Sequence, residues 1–220
     1  MLSVKEVRKM NNIKQIEVIY DNRLVGRLAL TKEGLCAFEY SVEWIGSGFS
    51  ISPFELPLRN GVFIAKPRPF EGGFGVFDDC LPDGWGLLIL DRYLQQKGIN
   101  PRTLTILDRL ALVGSTGRGA LEFRPDHSVV TRQDYVDFEK LALEAEQILD
   151  SDDYTGEGIE EFQDRGGSPG GARPKIFVRY DDKEWLVKFR AKRDPQSIGI
   201  DEYRYSLLAK QCGIEMPETR

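Results

Sequence analysis

The sequence predicts an α+β protein in which β-hairpins near both ends of the chain are joined by helical segments. Two observations about the positions of apolar residues predict this fold class. Apolar residues alternate or cluster on both sides of short turn signals at residues 13–30 and 175–189, as antiparallel strands require. Apolar residues recur at near-helical spacing in segments between residues 84 and 149. A chain of 220 residues that is 41% hydrophobic and 30% charged also has room for a sizeable core.

Composition narrows the class of protein further. No apolar run is long enough to cross a bilayer, and the first twelve residues lack the apolar middle of a secretion signal. The three cysteines are far apart, which indicates neither a disulfide framework nor a CxxC metal site and favours a reducing, cytoplasmic setting. A net charge of −5 argues against direct nucleic-acid binding by the whole surface.

The first elements of the chain are predicted to be strands. IKQIEVIY and RLVGRLAL flank Asp21-Asn22, a good hairpin connection. The turn Thr31–Gly34 precedes LCAFEYSVEW, so β-structure is expected up to Trp44. The proline-containing region that follows predicts irregular segments and short strands.

Three helices are predicted next. The first is capped by Asp83 and ends at Gly98. The second runs from Pro101 to Leu112 with Asn100 as its cap, and the turn GSTGRG then leads into the strand ALEF. The third covers about residues 133–149.

The end of the chain differs in charge from the part before it. Residues 150–164 hold seven acids and no base, which indicates a linker or mobile loop. Residues 165–193 hold nine bases against three acids. Within them KIFVRY and EWLVKF form a second predicted hairpin, and a helix is expected from Asp201 to Cys212. A basic segment of this kind is either a solvated face or a place where an anionic ligand binds.

The stretch GGSPGGARPKI, residues 166–176, opens this basic segment. Glycine allows backbone N–H groups to approach a phosphate closely and to adopt positive φ. No Gly-Lys-Ser/Thr follows, and the next element is a strand, so the Walker arrangement is excluded. The arrangement of protein kinases fits better, because a glycine-rich loop is followed there by a strand lysine and a helix glutamate. Lys188 and Glu202 stand at these two positions.

Each of these features has an ordinary explanation as well. A strand lysine is usually solvated, and a glutamate near a helix N-terminus usually stabilises the helix dipole. Their order along the chain favours a nucleotide site.

Several segments together resemble the HipA-type serine/threonine kinases, which are toxins of bacterial toxin–antitoxin pairs. The most specific are LPDGWG (residues 81–86) and SPGGARPK (residues 168–175), supported by LVKF, DEYRYSLLAKQCGIEMP, LPLR and GSTGRGALEF. The resemblance covers nearly the whole chain. It implies a HipA-like N-terminal subdomain at residues 1–125, a helix and acidic linker at 126–164, and the start of a kinase-like N-lobe at 165–220.

The resemblance also implies roles for individual residues. Ser168 matches a loop serine whose autophosphorylation silences the kinase. Lys188 matches the lysine that binds the ATP phosphates, with Glu202 beside it. Lys175 matches a position at the edge of the loop that would be a further contact to the anion, and the backbone of Gly170 and Gly171 would approach the phosphates. The complete kinase would use ATP and Mg²⁺, phosphorylate a protein such as an aminoacyl-tRNA synthetase, and pair with a DNA-binding antitoxin of the HipB type.

The catalytic residues of such a kinase are not found in this sequence. Phosphoryl transfer requires an aspartate that orients the hydroxyl group and further groups that hold Mg²⁺. No aspartate follows Glu202, so neither a catalytic residue nor a metal ligand is assigned to this chain, and we expect it to be inactive alone. It is either the front part of a longer kinase or one half of a split one.

The rival hypothesis is a non-catalytic module that docks a partner protein, with the glycine-rich stretch as a simple connection. Other chemistry has weaker support. His127, the sole histidine, lies in a turn-like segment and is expected to be solvated. Asp78, Asp79 and Asp83 are explained by turn formation and helix capping rather than by a metal, and GSTGRG by a plain turn rather than an anion cradle.

Overall fold

The computed structural model describes residues 13–128, 136–151, 154, 156, 158–166 and 170–220. Its strands are β1 (Gln15–Tyr20), β2 (Arg23–Leu30), β3 (Cys36–Tyr40), β4 (Val62–Ile64), β5 (Leu121–Arg124), β6 (Lys175–Tyr180) and β7 (Lys183–Lys188). Its α-helices are α1 (Val42–Ser47), α2 (Gly75–Asp78), α3 (Gly84–Gln96), α4 (Ile106–Val113), α5 (Phe138–Asp150), α6 (Gly158–Gly166) and α7 (Ile198–Gln211). The predicted α+β class is confirmed.

Strands β1 to β5 form one antiparallel sheet in the order β4-β3-β2-β1-β5. The first hairpin turns at Asp21 and Asn22, whose φ angles are 47° and 58°. Two consecutive left-handed residues give a turn whose twist matches the twist of the strands, and Asp and Asn tolerate this conformation better than most residues. The predicted hairpin is therefore correct.

The first hydrophobic core lies against this sheet. Phe38 of β3 contacts the aromatic rings of Tyr40 and Phe77, at centroid distances of 4.9 and 5.4 Å. Leu107 and Leu110 of α4 are fully buried in the same cluster. Because every large member comes from residues 16–123, this core is built by one continuous part of the chain.

The second core lies under the hairpin β6–β7. Phe162 of α6 packs edge-to-face between Trp85 of α3 and Phe189, at centroid distances of 5.0 and 5.8 Å. Buried residues of α5 and β6, among them Ile148 and Ile176, complete it. Helix α3 thus supports the hairpin although about 80 residues separate the two in the sequence.

Two sequence predictions in the first part of the chain are wrong. The strand does not reach Trp44, because the Ser41 hydroxyl accepts a hydrogen bond from the Trp44 N–H and starts α1. The helix expected from Pro101 to Leu112 is divided into a 3₁₀ turn, Pro101–Thr103, and α4. Thr105 and Asp108 form a capping box between the two pieces.

Part of the acidic stretch predicted as a linker or mobile loop, residues 158–164, is helical. It belongs to α6, whose Ile159 and Phe162 are fully buried, so this part is not a linker. Helix α5 covers Phe138–Asp150 of the predicted third helix, and its expected beginning at 133–135 lies outside the described residues. None of the helices described here is long and apolar enough to span a bilayer.

Candidate phosphate-binding site

Both candidate lysines lie on the hairpin β6–β7. Lys175 at the start of β6 pairs in register with Lys188 at the end of β7. Cross-strand partners in an antiparallel pair place their side chains on the same face, so the two ammonium groups share one face of the hairpin. Asp181 and Asp182 make the tight turn at the opposite end, with φ angles of 54° and 55°. The predicted second hairpin is therefore correct.

Lys188 forms an ion pair with Glu202 of α7. Its Nζ lies 3.0 Å from Oε2 and 3.2 Å from Oε1 of the carboxylate. About half of each side chain is exposed to solvent. An exposed pair of this kind contributes little to stability, at most about 1 kcal/mol, so its main consequence is to fix the position of the lysine ammonium.

Lys175 is in a different environment. It is buried, and its Nζ donates hydrogen bonds to the carbonyl oxygens of Gly170 at 2.5 Å and Gly171 at 3.3 Å. Burial lowers the pKa of this lysine, and the nearby cations Lys188 and Arg173 lower it further against the opposing effect of Asp83. Lys175 therefore holds the backbone of the glycine-rich loop.

The end of the same loop contacts the start of α3. The Gly171 N–H donates to Asp83 Oδ1 at 2.9 Å, and the Gly171 carbonyl accepts from the Trp85 N–H at 3.1 Å. Asp83 occupies the predicted N-cap position of α3, but its side chain accepts no hydrogen bond from the helix. The Asp83 carboxylate is directed instead to a residue 88 positions later.

Arg173 and Asp194 add a pair that sequence reasoning did not identify. Two guanidinium nitrogens of Arg173 lie 2.8 and 2.9 Å from the two carboxylate oxygens of Asp194. The hydrogen bonds and charge of Asp194, with a smaller effect of Glu202, raise the pKa of Arg173. The spacing of 21 residues gave no signal for this pair, since both residues lie in loops.

The site therefore combines three cations with three carboxylates. The cations are Lys175, Lys188 and Arg173, and the carboxylates near them are Asp83, Glu202 and Asp194. Such a group can hold an anion next to the loop while Lys188 stays paired with Glu202, because ammonium and guanidinium groups form strong charge-assisted hydrogen bonds to anions. Ser168, the predicted phosphorylation site, lies outside the described residues.

The alternative sites are less well supported. Asp126 accepts hydrogen bonds from the backbone N–H groups of Ser115 and Ser128, so the Ser115 amide of the GSTGRG turn is already satisfied. The His127 N–H donates to the Ala111 carbonyl oxygen and anchors its own segment. Within the described ranges, no group of three or more His, Cys, Asp or Glu side chains is arranged to hold a metal ion.

The chain matches known families of protein domains in two places. Residues 16–124 match the HipA N-terminal domain, and residues 167–220 match the HipA-like C-terminal domain. The first match covers the five-stranded sheet and the helices packed on it, and the second covers the hairpin and α7. No curated protein sequence is similar enough to this chain to count as a match.

Solved structures give the same fold. One is HipA of Shewanella oneidensis MR-1, determined as a toxin–antitoxin complex of HipA, HipB and operator DNA. The TM-score is 0.56 at 21% sequence identity, over 93% of this chain and 47% of that one. This chain therefore spans about half the length of that protein, and the likeness concerns the fold.

Proposed function

Because this chain belongs to the HipA family, we propose that it is the N-terminal part of a toxin kinase that transfers the γ-phosphate of ATP to serine or threonine of a protein. In this proposal the face of the hairpin that carries Lys175 and Lys188 binds the phosphates. The glycine-rich loop, including Gly170 and Gly171, covers them.

The observation that supports this function best is the ion pair between Lys188 and Glu202. In protein kinases a strand lysine and a helix glutamate must be paired for the ammonium group to meet the phosphates. Here the two residues lie on β7 and α7, and their charged atoms are 3.0 Å apart. Most exposed ion pairs need no functional explanation. In this pair, however, the lysine lies on the hairpin that directly follows the glycine-rich loop.

The remaining parts of the proposal concern the metal, the target and the partner. ATP would bring Mg²⁺, but the described residues offer no cluster of carboxylates to hold it, so no step is assigned to the metal here. By analogy with the HipA–HipB complex, we propose a HipB-type antitoxin as the partner. An aminoacyl-tRNA synthetase is the proposed class of target, and Ser168 the proposed site of inhibitory autophosphorylation.

A lysine substitution tests the proposal directly. The protein is purified as its host produces it, and MgATP binding and phosphate transfer are measured for Lys188→Ala. We expect transfer to be abolished and the stabilisation by MgATP to be lost, which for a ligand at 100 times its Kd is about 2.7 kcal/mol. Lys183→Ala is the matched control, since Lys183 is an exposed lysine of the same hairpin paired with Glu218 at 2.8 Å.

Full transfer activity in Lys188→Ala would contradict the kinase assignment and favour the binding-module alternative. A phosphopeptide map unchanged by Ser168→Ala would contradict the role of that serine. The intact mass of the host-produced protein shows whether the missing catalytic residues belong to the same chain. A value well above 25.0 kDa indicates one longer kinase, whereas a matching value indicates a separate half.

A further inference from the structure

The two motifs that carry most of the family resemblance meet in space. Asp83, Gly84 and Trp85 belong to LPDGWG, and Gly170 and Gly171 belong to SPGGARPK. We propose that Asp83 and Gly84 are positioning residues that hold the glycine-rich loop over the hairpin, an inference that rests on the phosphate-binding function proposed above. We call the contact between these two segments the loop dock.

The hydrogen bonds of the loop dock define the path of the backbone. Both backbone polar groups of Gly171 are used: the N–H donates to Asp83 Oδ1, and the carbonyl oxygen accepts from the Trp85 N–H. The Lys175 ammonium closes the other side by donating to the carbonyls of Gly170 and Gly171. The segment is therefore held from α3 and from β6 at the same time.

Glycine at position 84 makes this approach possible. A Cβ placed on Gly84 would lie 2.7 Å from the carbonyl carbon and oxygen of Gly171 and 3.0 Å from Cα of Ala172. The φ angle of Gly84 is +44°, a conformation that side-chain-bearing residues rarely adopt. A side chain at this position would push the loop away from α3.

The support under the dock is rigid. Trp85 is 1% exposed and packs on Phe162, so the start of α3 is fixed in the second core. By contrast, Gly170 and Gly171 are exposed. The conformation of this loop segment consequently depends on the dock rather than on burial.

The test measures the loop with and without nucleotide. Amide hydrogen exchange of Gly171 is followed by NMR in the chain without ligand, and MgATP affinity is measured in the host-produced protein. We expect Asp83→Ala to speed Gly171 exchange roughly tenfold, because an exposed amide loses a charged acceptor. We expect MgATP affinity to fall by a similar factor because the loop is no longer preorganised.

Three further variants separate a positioning role from a general loss of structure. Asp83→Asn keeps an oxygen that accepts from the Gly171 N–H and should restore slow exchange and MgATP affinity near the wild-type values. Asp79→Ala removes a neighbouring exposed carboxylate and should change neither. Gly84→Ala should speed the exchange of Gly171 as Asp83→Ala does.

Each outcome decides a separate question. Unchanged exchange in Asp83→Ala would overturn the dock. Faster exchange with unchanged or tighter MgATP binding would overturn the positioning role, since the carboxylate would then be irrelevant to the ligand or a competitor for it. No MgATP binding by the unmodified protein would overturn the proposed function and with it the positioning role, while the exchange result would still show whether the dock exists.

Discussion

The two hydrophobic cores are built in different ways. The first is formed by residues 16–123, mostly in a sheet in which β1 to β4 pair in chain order and β5 joins beside β1. The second is formed by α5, α6 and the hairpin, which follow one another along the chain, and by α3, which lies well before them in the sequence. The difference shows that the hairpin with the candidate lysines depends on α3, a helix that precedes it by about 80 residues.

The largest expected effects come from removing one aromatic side chain from each core. Phe38 and Phe162 are both fully buried, so Phe38→Ala and Phe162→Ala should each lower the free energy of unfolding by about 3–5 kcal/mol. Because the second core is assembled from separate segments, we expect Phe162→Ala to open it while the sheet stays closed. Hydrogen exchange in peptides from β2 and α6 measures this; equal opening of both regions would show that the cores are one cooperative unit.

Replacing a glycine of the five-stranded sheet and a glycine of α7 with alanine should change the free energy of unfolding in opposite directions. A Cβ on Gly26 of β2 would lie 2.3 Å from the Glu39 carbonyl oxygen and 2.7 Å from the Phe38 ring, so Gly26→Ala should destabilise the protein by about 1–3 kcal/mol. No heavy atom lies within 4 Å of the Cβ position at Gly199 of α7, and Gly199→Ala should stabilise by about 0.5 kcal/mol. Urea denaturation gives both values, and a destabilised Gly199→Ala would contradict the open surroundings of α7.

The smallest predicted effect concerns a contact between the turn before β5 and the hairpin β6–β7. Arg118, in the turn before β5, lies 3.4 Å above the centre of the Phe177 ring and 2.6 Å from Glu184 of the hairpin. Both charged side chains are partly exposed, so Arg118→Ala should cost about 0.5–1 kcal/mol. Arg179 pairs with Asp182 of its own turn at 3.7 Å and is more exposed than Arg118, so Arg179→Ala should cost less in the same urea measurement. If both substitutions lower the free energy of unfolding by the same amount, the contacts of Arg118 with the hairpin do not stabilise the protein.

The hairpins could be predicted from sequence because their signals are local. Asp21-Asn22 and Asp181-Asp182 allow the left-handed turns that the structure contains, and alternating apolar residues define the strands on either side. The kinase-like order of Lys188 and Glu202 could be predicted for the same reason, since a strand and the following helix bring them together. Their role in binding phosphate stays a prediction.

The elements that were missed depend on weak or distant signals. Helix α1 has six residues, and its Val-Glu-Trp start alternates like a strand; only Ser41 indicated a cap. In α6 two apolar residues at helical spacing, Ile159 and Phe162, were hidden among acidic residues. The partner of Asp83 lies 88 residues away, beyond the reach of any spacing rule.

The contact between Asp83 and Gly171 also has a consequence for the order in which the protein folds. Residue 171 is synthesised well after Arg124, the last residue of the five-stranded sheet, so this contact cannot form until every strand of that sheet has been made. During synthesis the first core can close well before residue 171 leaves the ribosome. The loop over the candidate phosphate site is then among the last parts to reach its final conformation, so an incompletely synthesised chain carries a folded sheet without a formed site.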